Sequence, residues 1–356
     1  MKNPAISALF WSRVARHLSL LLLVALAACA PPPPLLQQES YVFGTRVEVL
    51  VFGEPEGGAR AAAAAVLQEF DRLHRMLHAW QPSELTRLNE AIASGETATV
   101  SPELADLLAD AQAIAARGDQ LFDPAIGRLI ALWGFHSDEF TPQLPPEEQI
   151  RGLVDAAPTM ADLVIEGNRV SSKKPEVAID LGGYAKGYAL DRAAAILRDR
   201  GVANALINIG GNVMALGSKG DQPWRVGIQH PRGPTALASL PLFDGEAVGT
   251  SGDYQRYFEL DGTRFCHLLD PRSGRPANTA QAVTVLVTPR SRAGALSDAA
   301  SKPLFIAADA DWRRLARQLG VQHALRVDAA GRLVVTRALA GRLELAPGTV
   351  IDRVID

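Results

Sequence analysis

Apolar residues recur along the chain at two spacings, one typical of strands and the other of helices. Over residues 41–52 they alternate and include many β-branched side chains, which predicts a strand. Over residues 59–79 they fall three or four positions apart, which predicts a helix with one apolar face. Ser101 is typical of a residue that caps a helix and Gly118 of one that ends it, so a second helix is predicted between them.

The middle of the chain predicts a strand, a turn, a helix and a second strand in that order. The first strand covers residues 177–181, and Gly182 and Gly183 form the turn. The helix runs to about Arg200, and the second strand covers residues 205–209. Further strands are predicted at 224–229, 256–260, 265–269, 282–288, 325–327 and 333–336, with a late helix at 312–319. Because helices and strands mix without strict alternation, the predicted fold class is α+β.

The N-terminus has the features of an export signal. Cations without any acidic residue precede an apolar stretch at 18–28 that is too short to span a bilayer. The stretch ends in Leu-Ala-Ala followed by Cys29, an order that resembles a bacterial lipobox, in which the cysteine is acylated. We predict a signal peptide over 1–28 and a lipidated Cys29 that begins a proline-rich tether over 29–38. The protein would then face the periplasm on an inner or outer bacterial membrane; an ordinary signal peptide with a chance cysteine is the alternative.

Charge, cysteine count and length restrict the kinds of protein that this chain can be. The formal net charge is −3 although three cations lie in the predicted signal peptide, so no nucleic-acid surface is expected. After Cys29 the only cysteine is Cys266, which excludes a disulfide between cysteines of the folded body and predicts a buried thiol. The length after the tether predicts one domain over residues 39–356.

A glycine-rich turn with charged neighbours precedes the central helix. It reads D-L-G-G-Y-A-K-G from Asp180 to Gly187. Glycines let the backbone approach a ligand closely, and the first N–H groups of a helix attract anions. Lys186 adds a positive charge beside them. The functional interpretation is a phosphate site, and the alternative is a purely structural turn, which is the more frequent meaning of such a pattern.

Three later groups of residues are also candidates for a functional site. Residues 210–212 (Gly-Gly-Asn) follow a strand and are typical of a tight turn. Residues 249–254 (GTSGDY) precede His267, which ends a predicted strand and is either a base or a structural histidine. Asp298, in the segment 297–303, is either the acidic cap of a helix or a carboxylate for a hard cation such as Mg²⁺.

Taken in this order, the clusters resemble the ApbE family of FAD:protein FMN transferases. Further segments with the same resemblance lie at 80–89, 122–127, 132–135 and 224–228. Many linked motifs in one order distinguish a family far better than a single glycine pattern does. The resemblance implies one ApbE-like domain, similar to the T-fold. Its mixed sheets and flanking helices would form two lobes with FAD in the cleft between them.

The resemblance also implies an activity. Members of the family cleave the pyrophosphate of FAD and join FMN through a phosphoester to a serine or threonine of a target flavoprotein, and AMP leaves. The target carries a motif like D-x-x-[ST]-G-A-[ST]. FAD and Mg²⁺ are thus the implied cofactors, and the flavoprotein and the membrane are the implied partners, with no nucleic acid.

The resemblance further implies which residues contact FAD. They are Phe43, Trp80, Leu121, Phe122, Asp123, Asp180, Lys186, Thr250, Ser251, Gly252, His267 and Leu268. Phe43 would lie against the flavin, and Trp80 would stack on the cofactor, as flat aromatic rings do. Residues 121–123 would line the adenosine side, and residues 250–252 would lie near the diphosphate. His267 would lie close to the reacting phosphate and remove the proton from the target hydroxyl.

One position departs from the family's metal-binding pattern. The implied metal ligands are the carbonyl of Gly183 and the carboxylate of Asp298, which would thereby be catalytic. The family pattern D-x-x-x-T has threonine where this chain has Lys302, with Ser301 before it. A protonated amine cannot coordinate a metal and repels one. Ser301 could supply the oxygen, Lys302 could place its own charge near the diphosphate, or metal binding could be lost.

The sequence is compatible with three functions. The first is FMN transfer to a protein. The second is hydrolysis of FAD to FMN and AMP on the same fold, with water as the attacking group. The third is FAD binding without chemistry, which the altered metal pattern allows.

Overall fold

The computed structural model describes residues 33–137 and 141–356, of which 35–356 form one unit. The predicted signal peptide and the predicted lipid attachment at Cys29 lie outside the described residues. Among the described residues, no helix combines the length and apolar character that crossing a membrane requires.

The first strands are β1 Leu35–Val42, β2 Thr45–Phe52, β3 Ala98–Thr99, β4 Leu163–Glu166, β5 Arg169–Ser172, β6 Ala205–Ile209, β7 Asn212–Leu216, β8 Trp224–Gln229, β9 Ala236–Leu242 and β10 Ala247–Gly252. The later strands are β11 Tyr257–Leu260, β12 Thr263–Cys266, β13 Leu269–Asp270, β14 Arg275–Pro276, β15 Ala280–Val287, β16 His323–Asp328, β17 Leu333–Thr336, β18 Glu344–Leu345 and β19 Arg353–Ile355. The helices are α1 Glu56–Leu77, α2 Glu84–Ala93, α3 Pro102–Arg117, α4 Gly127–Leu132, α5 Glu147–Ala156, α6 Ala185–Asp199, α7 Ala293–Ile306, α8 Asp309–Leu319 and α9 Arg337–Ala340. A 3₁₀ turn lies at Met160–Asp162.

A nine-stranded sheet in the order β1-β2-β6-β7-β10-β15-β16-β17-β19 organises the molecule. Its neighbouring strands pair antiparallel except β17 and β19, which are parallel. One face packs against helices α1, α6 and α7, and the other packs against the small sheet β18-β9-β8. Helices on one face of a mainly antiparallel sheet define an α+β fold, which confirms the predicted class.

The strand predicted over residues 41–52 is confirmed for Thr45–Phe52, but its start was wrong, because the chain reverses before Thr45 and residues 41–42 belong to β1. Phe43 and Gly44 both have positive φ, 57° and 67°, and form a two-residue turn between β1 and β2. Such turns match the natural twist of a hairpin. Residues 35–38, predicted as tether, therefore pair with β2 instead, since strand pairing satisfies their backbone polar groups.

Other local predictions had mixed outcomes. The strands 205–209, 224–229 and 333–336 and the helix between Ser101 and Gly118 are confirmed. The predicted strand at 177–181 contains only a single bridge, between Ala178 and Ile126. The predicted strand at 265–269 is interrupted between β12 and β13. Asp298 does not cap a helix but lies within α7. Cys266 is buried, as predicted.

Three glycines bring the backbones of β10, α7 and α6 into direct contact. A methyl group at Gly187 of α6 would lie 2.2 Å from the carbonyl oxygen of Gly294 in α7. A methyl group at Gly249 of β10 would lie 2.3 Å from the carbonyl oxygen of Ser297. No side chain fits at either place. This close stacking sets the position of Asp298 beside the start of α6.

Gly187→Ala is therefore expected to destabilise the protein by about 1–3 kcal/mol or more, because overpacking forces the two helices apart. The matched control is Gly152→Ala in the exposed helix α5, where a methyl group meets nothing within 4 Å. There the better helix propensity of alanine is expected to add about 0.8–1 kcal/mol. Urea unfolding midpoints measure both changes. Equal midpoints for wild type and Gly187→Ala would contradict the close contact.

Candidate active site

A cleft of about 410 Å³ gathers most of the predicted site residues. The predicted positions that line it are Phe43, Trp80, Leu121, Phe122, Asp123, Asp180, Gly183, Lys186, Thr250, Ser251, His267, Leu268 and Lys302. These come from segments far apart in the sequence, which the central sheet and its helices bring together. Asp298 and Ser301 lie directly behind the cleft wall, fully buried. Gly252 does not line it; a methyl group there would lie 2.3 Å from the ring of Tyr254, so this glycine serves packing.

The turn before α6 forms a positively charged end of the cleft. Asp180 accepts a hydrogen bond from the N–H of Gly182 at 2.7 Å and so shapes the turn. Tyr184, at the start of the helix, gives no capping hydrogen bond from its side chain. Lys186 donates to the carbonyl of Gly182 at 3.3 Å and lines the cleft. The helix dipole and this ammonium both favour an anion at this end.

Asp298 and Lys302 form a buried ion pair beside this end. The Oδ2 of Asp298 accepts from the N–H of Gly187 at 2.9 Å, and its Oδ1 is ion-paired with Lys302. Lys302 also donates to the carbonyl of Asp298 at 2.8 Å. Burial opposes ionisation of Asp298, but the charges of Lys302 and Lys186 outweigh it and hold its pKa below the ordinary value.

The predicted metal ligands do not fit a hard cation as they stand. Lys302 occupies Oδ1 of Asp298, and an ammonium excludes a cation from that oxygen. Ser301 donates to the carbonyl of Asp298 at 2.7 Å and is hydrogen-bonded to Ser251 at 2.7 Å. The Lys302 stem passes over Gly183, where a methyl group would lie 3.2 Å from Cε. Across residues 33–137 and 141–356 there is no group of three acidic, histidine or cysteine side chains that could hold a metal.

His267 lies between β12 and β13, at the end of an aromatic cluster formed by the segment after α4 and the β11–β12 hairpin. Its Nδ1 is 3.1 Å from the carbonyl oxygen of Arg256. Because a carbonyl only accepts, Nδ1 carries the proton and Nε2 keeps its lone pair. Burial lowers the pKa of His267 to about 3, helped by the charges of Arg256 and Lys186. The imidazole is therefore neutral at pH 7, and Nε2 presents a lone pair.

The structure adds His136 to the site, which the sequence reasoning missed. Its Nε2 donates to Oδ2 of Asp180 at 2.9 Å, and its ring stacks on Trp80 with centroids 4.9 Å apart. Burial opposes ionisation of Asp180, but the hydrogen bond and charge of His136 hold its pKa below the ordinary value. His136 directly follows the segment 132–135 that carried the family resemblance, and this adjacency was a signal that could have found it.

Asp123 also lines the cleft, but its carboxylate holds the surrounding chain. It accepts from the N–H groups of Ala125 at 2.9 Å and Met160 at 3.0 Å. Burial raises its pKa to about 7. These contacts favour a role in shaping the segment 121–126 over a direct bond to a ligand.

The sequence of this chain matches one family model and several curated relatives. A model of the ApbE family matches residues 43–325. An FAD:protein FMN transferase of Rhodobacter capsulatus is 44% identical over 318 residues, which cover 88% of this chain and 60% of that protein. Another, from Klebsiella pneumoniae (strain 342), is 32% identical over 240 residues, 65% of this chain and 68% of that protein. The chain thus spans about 60% of the length of its Rhodobacter relative.

Solved structures share the fold. An ApbE protein of Thermotoga maritima superposes with a TM-score of 0.79 at 31% identity, covering 87% of this chain and 99% of that one. The apo form of the flavinyl transferase ApbE of Pseudomonas stutzeri gives a TM-score of 0.76 at 28% identity, covering 88% and 98%. The arrangement of sheets and helices is therefore the one that these proteins have.

Proposed function

Because the chain belongs to the ApbE family, as its motifs predicted, we propose that it transfers FMN from FAD to a serine or threonine of a target flavoprotein. A phosphoester forms, and AMP leaves. The observation that carries the proposal is a neutral histidine, His267, in one cleft with the ammonium groups of Lys186 and Lys302. A base and two cations are what phosphoryl transfer to a hydroxyl needs.

The cleft divides into regions that suit the parts of FAD. Trp80 is 37% exposed and offers a ring face at the rim, where a flat isoalloxazine or adenine could stack. Phe43, whose ring lies 5.6 Å from that of His74, extends the aromatic wall. Lys186 and the start of α6 suit the pyrophosphate.

In the proposed reaction, Nε2 of His267 removes the proton from the target hydroxyl. The oxygen then attacks the phosphorus of the FMN half, and the bond from that phosphorus to the bridging oxygen breaks. AMP leaves with the bridging oxygen, whose growing negative charge the nearby ammonium groups stabilise. His267 ends the step protonated and returns its proton to solvent.

The family resemblance implies Mg²⁺ as a cofactor. The donors around Asp298 do not fit a hard cation while Lys302 holds the carboxylate.

The proposal extends to location and partner. The Leu-Ala-Ala-Cys order at residues 26–29 supports acylation of Cys29 and attachment to the periplasmic face of a bacterial membrane. The partner would be a flavoprotein with a motif like D-x-x-[ST]-G-A-[ST]. Radiolabelled palmitate incorporation, compared between wild type and Cys29→Ser, tests the anchor.

A mass measurement tests the activity. The purified protein is mixed with FAD and a target domain that bears the motif, and the intact target is weighed. A gain of one FMN less water is expected, and none when the acceptor residue of the target is alanine. Free FMN and AMP with an unchanged target would mean a pyrophosphatase. Intact, bound FAD with several targets would mean a binding protein.

A further inference from the structure

The ammonium of Lys302 stands at the position where the family pattern has a metal-binding threonine. We propose that Lys302, held by Asp298, replaces the divalent cation and, together with Lys186, binds the pyrophosphate of FAD, so that this chain transfers FMN without a divalent metal. This inference rests on the proposed function and assigns Lys302 a catalytic role in it.

The carboxylate that would hold a metal is already fully used. Oδ1 of Asp298 is ion-paired with Lys302, and Oδ2 accepts from the N–H of Gly187. Asp298 is 1% exposed, so water does not compete for these oxygens. A metal at Oδ1 would have to displace the ammonium and then tolerate its charge nearby, which Coulomb repulsion opposes in a buried setting.

The hydroxyl of Ser301, the other oxygen that could take the place of the threonine, is also engaged in hydrogen bonds. The hydroxyl of Ser301 donates to the carbonyl of Asp298, so Ser251 is the donor in the bond between the two serines. Ser301 is fully buried within α7 and does not line the cleft. The arrangement fits a serine that braces the helix, with Lys302 as the group that reaches the ligand.

Lys302 is placed to contact an anion. Its side chain is 12% exposed and lines the cleft beside Gly183 and Lys186. An ammonium has three N–H donors. The carboxylate and the carbonyl of Asp298 take two of them, which leaves one for a phosphate oxygen. Gly183 leaves room beside the lysine stem, since a methyl group there would lie 3.2 Å from Cε, a close contact that only a small shift of the stem would relieve.

The positive charges of the cleft also suit the stabilisation of a pyrophosphate and of the departing AMP. Lys302 brings one positive charge to the place of the cation, beside the charge of Lys186 that the family resemblance also implies. Both line the same cleft as His267, and their positive charges lower the pKa of its imidazole. As the bridging oxygen leaves with AMP, these fixed cations stabilise its charge without reorganisation.

The test compares wild type with Lys302→Met, Lys302→Thr and the surface control Lys219→Met, each with excess EDTA or millimolar Mg²⁺. Thermal melts first confirm that every variant folds. Metal content is measured by mass spectrometry, FAD affinity by calorimetry, and FMN transfer by the mass of the target.

Wild type and Lys219→Met are expected to hold substoichiometric metal and to bind FAD and transfer FMN equally in both conditions. Lys302→Met is expected to bind FAD roughly 10- to 100-fold more weakly in EDTA, because a charge-assisted hydrogen bond is lost.

Lys302→Thr supplies the opposite result. It restores the D-x-x-x-T pattern, so its FAD affinity is expected to become dependent on Mg²⁺. Stoichiometric metal in wild type, or wild-type binding that EDTA abolishes and Mg²⁺ restores, would overturn the inference. So would unchanged FAD affinity of Lys302→Met in EDTA. Wild type that binds no FAD in either condition would instead reject the proposed function.

Discussion

Replacing His267 with asparagine is expected to lower the single-turnover rate of FMN transfer by about 10²–10⁴-fold, the range for loss of a general base. FAD affinity should change little, because the asparagine N–H₂ can donate to the carbonyl of Arg256, as Nδ1 of His267 does. The rate is followed by the mass of the target, and the affinity by calorimetry. A rate within a few-fold of wild type would show that the base is another group.

The pH dependence gives His267 a second readout. Burial lowers its pKa to about 3, whereas an unfolded histidine has a pKa of about 6.5. The neutral imidazole, which is the form that acts as a base, is thus present at all pH values above about 3. We therefore expect no inflection near pH 6.5 when the transfer rate is measured at low FAD concentration. The unfolded chain, however, takes up a proton that the folded chain refuses. The free energy of unfolding should therefore fall as the pH drops from about 6.5 towards 3, and His267→Asn should remove this part of the dependence.

Asp298→Ala is expected to destabilise the protein by about 3–5 kcal/mol, the cost of breaking a buried ion pair from one side. The change leaves the Lys302 ammonium without its carboxylate and the N–H of Gly187 without its acceptor. Urea unfolding measures it. The matched control is Glu56→Ala, which removes a pair with Arg60 whose side chains are 59% and 71% exposed, and there less than about 1 kcal/mol is expected.

A double-mutant cycle separates the ion pair from the cavity that alanine creates. Removing Lys302 as well, in Asp298→Ala/Lys302→Met, should cost less than the sum of the two single changes, because no buried charge remains unpaired. Additive effects would show that the two side chains do not interact in solution.

The sequence grouped residues that line one cleft more successfully than it predicted the local structure around them. Linked motifs identified the segments that carry Lys186, His267 and Lys302, and these line one cleft. The turn at Phe43–Gly44 was missed because phenylalanine at positive φ is not a typical turn signal. A helix with Asp298 as its acidic cap was one interpretation of the sequence, but α7 begins earlier, at Ala293; because α7 is buried on nearly all sides, it shows no amphipathic period that would mark its start.

The contacts that decide the chemistry were beyond sequence reasoning. The sequence showed that Lys302 departs from the family pattern, but not that its ammonium takes Oδ1 of Asp298. Nor did it show that His136 ties Asp180 to Trp80, since a hydrogen bond across 44 positions depends on how the sheet and helices assemble. Such contacts between distant segments have no periodic signal in the chain.

The stacking of β10, α7 and α6 through their glycines has a consequence for ligand choice. Main-chain contact fixes the start of α6 and the carboxylate of Asp298 before any ligand arrives. Little conformational entropy is then lost at this end on binding, and the affinity it contributes is preorganised. A preorganised end of this kind cannot adapt its spacing. It should therefore discriminate sharply between a pyrophosphate and a single phosphate, while the more exposed Trp80 rim tolerates variation in the rings that stack there.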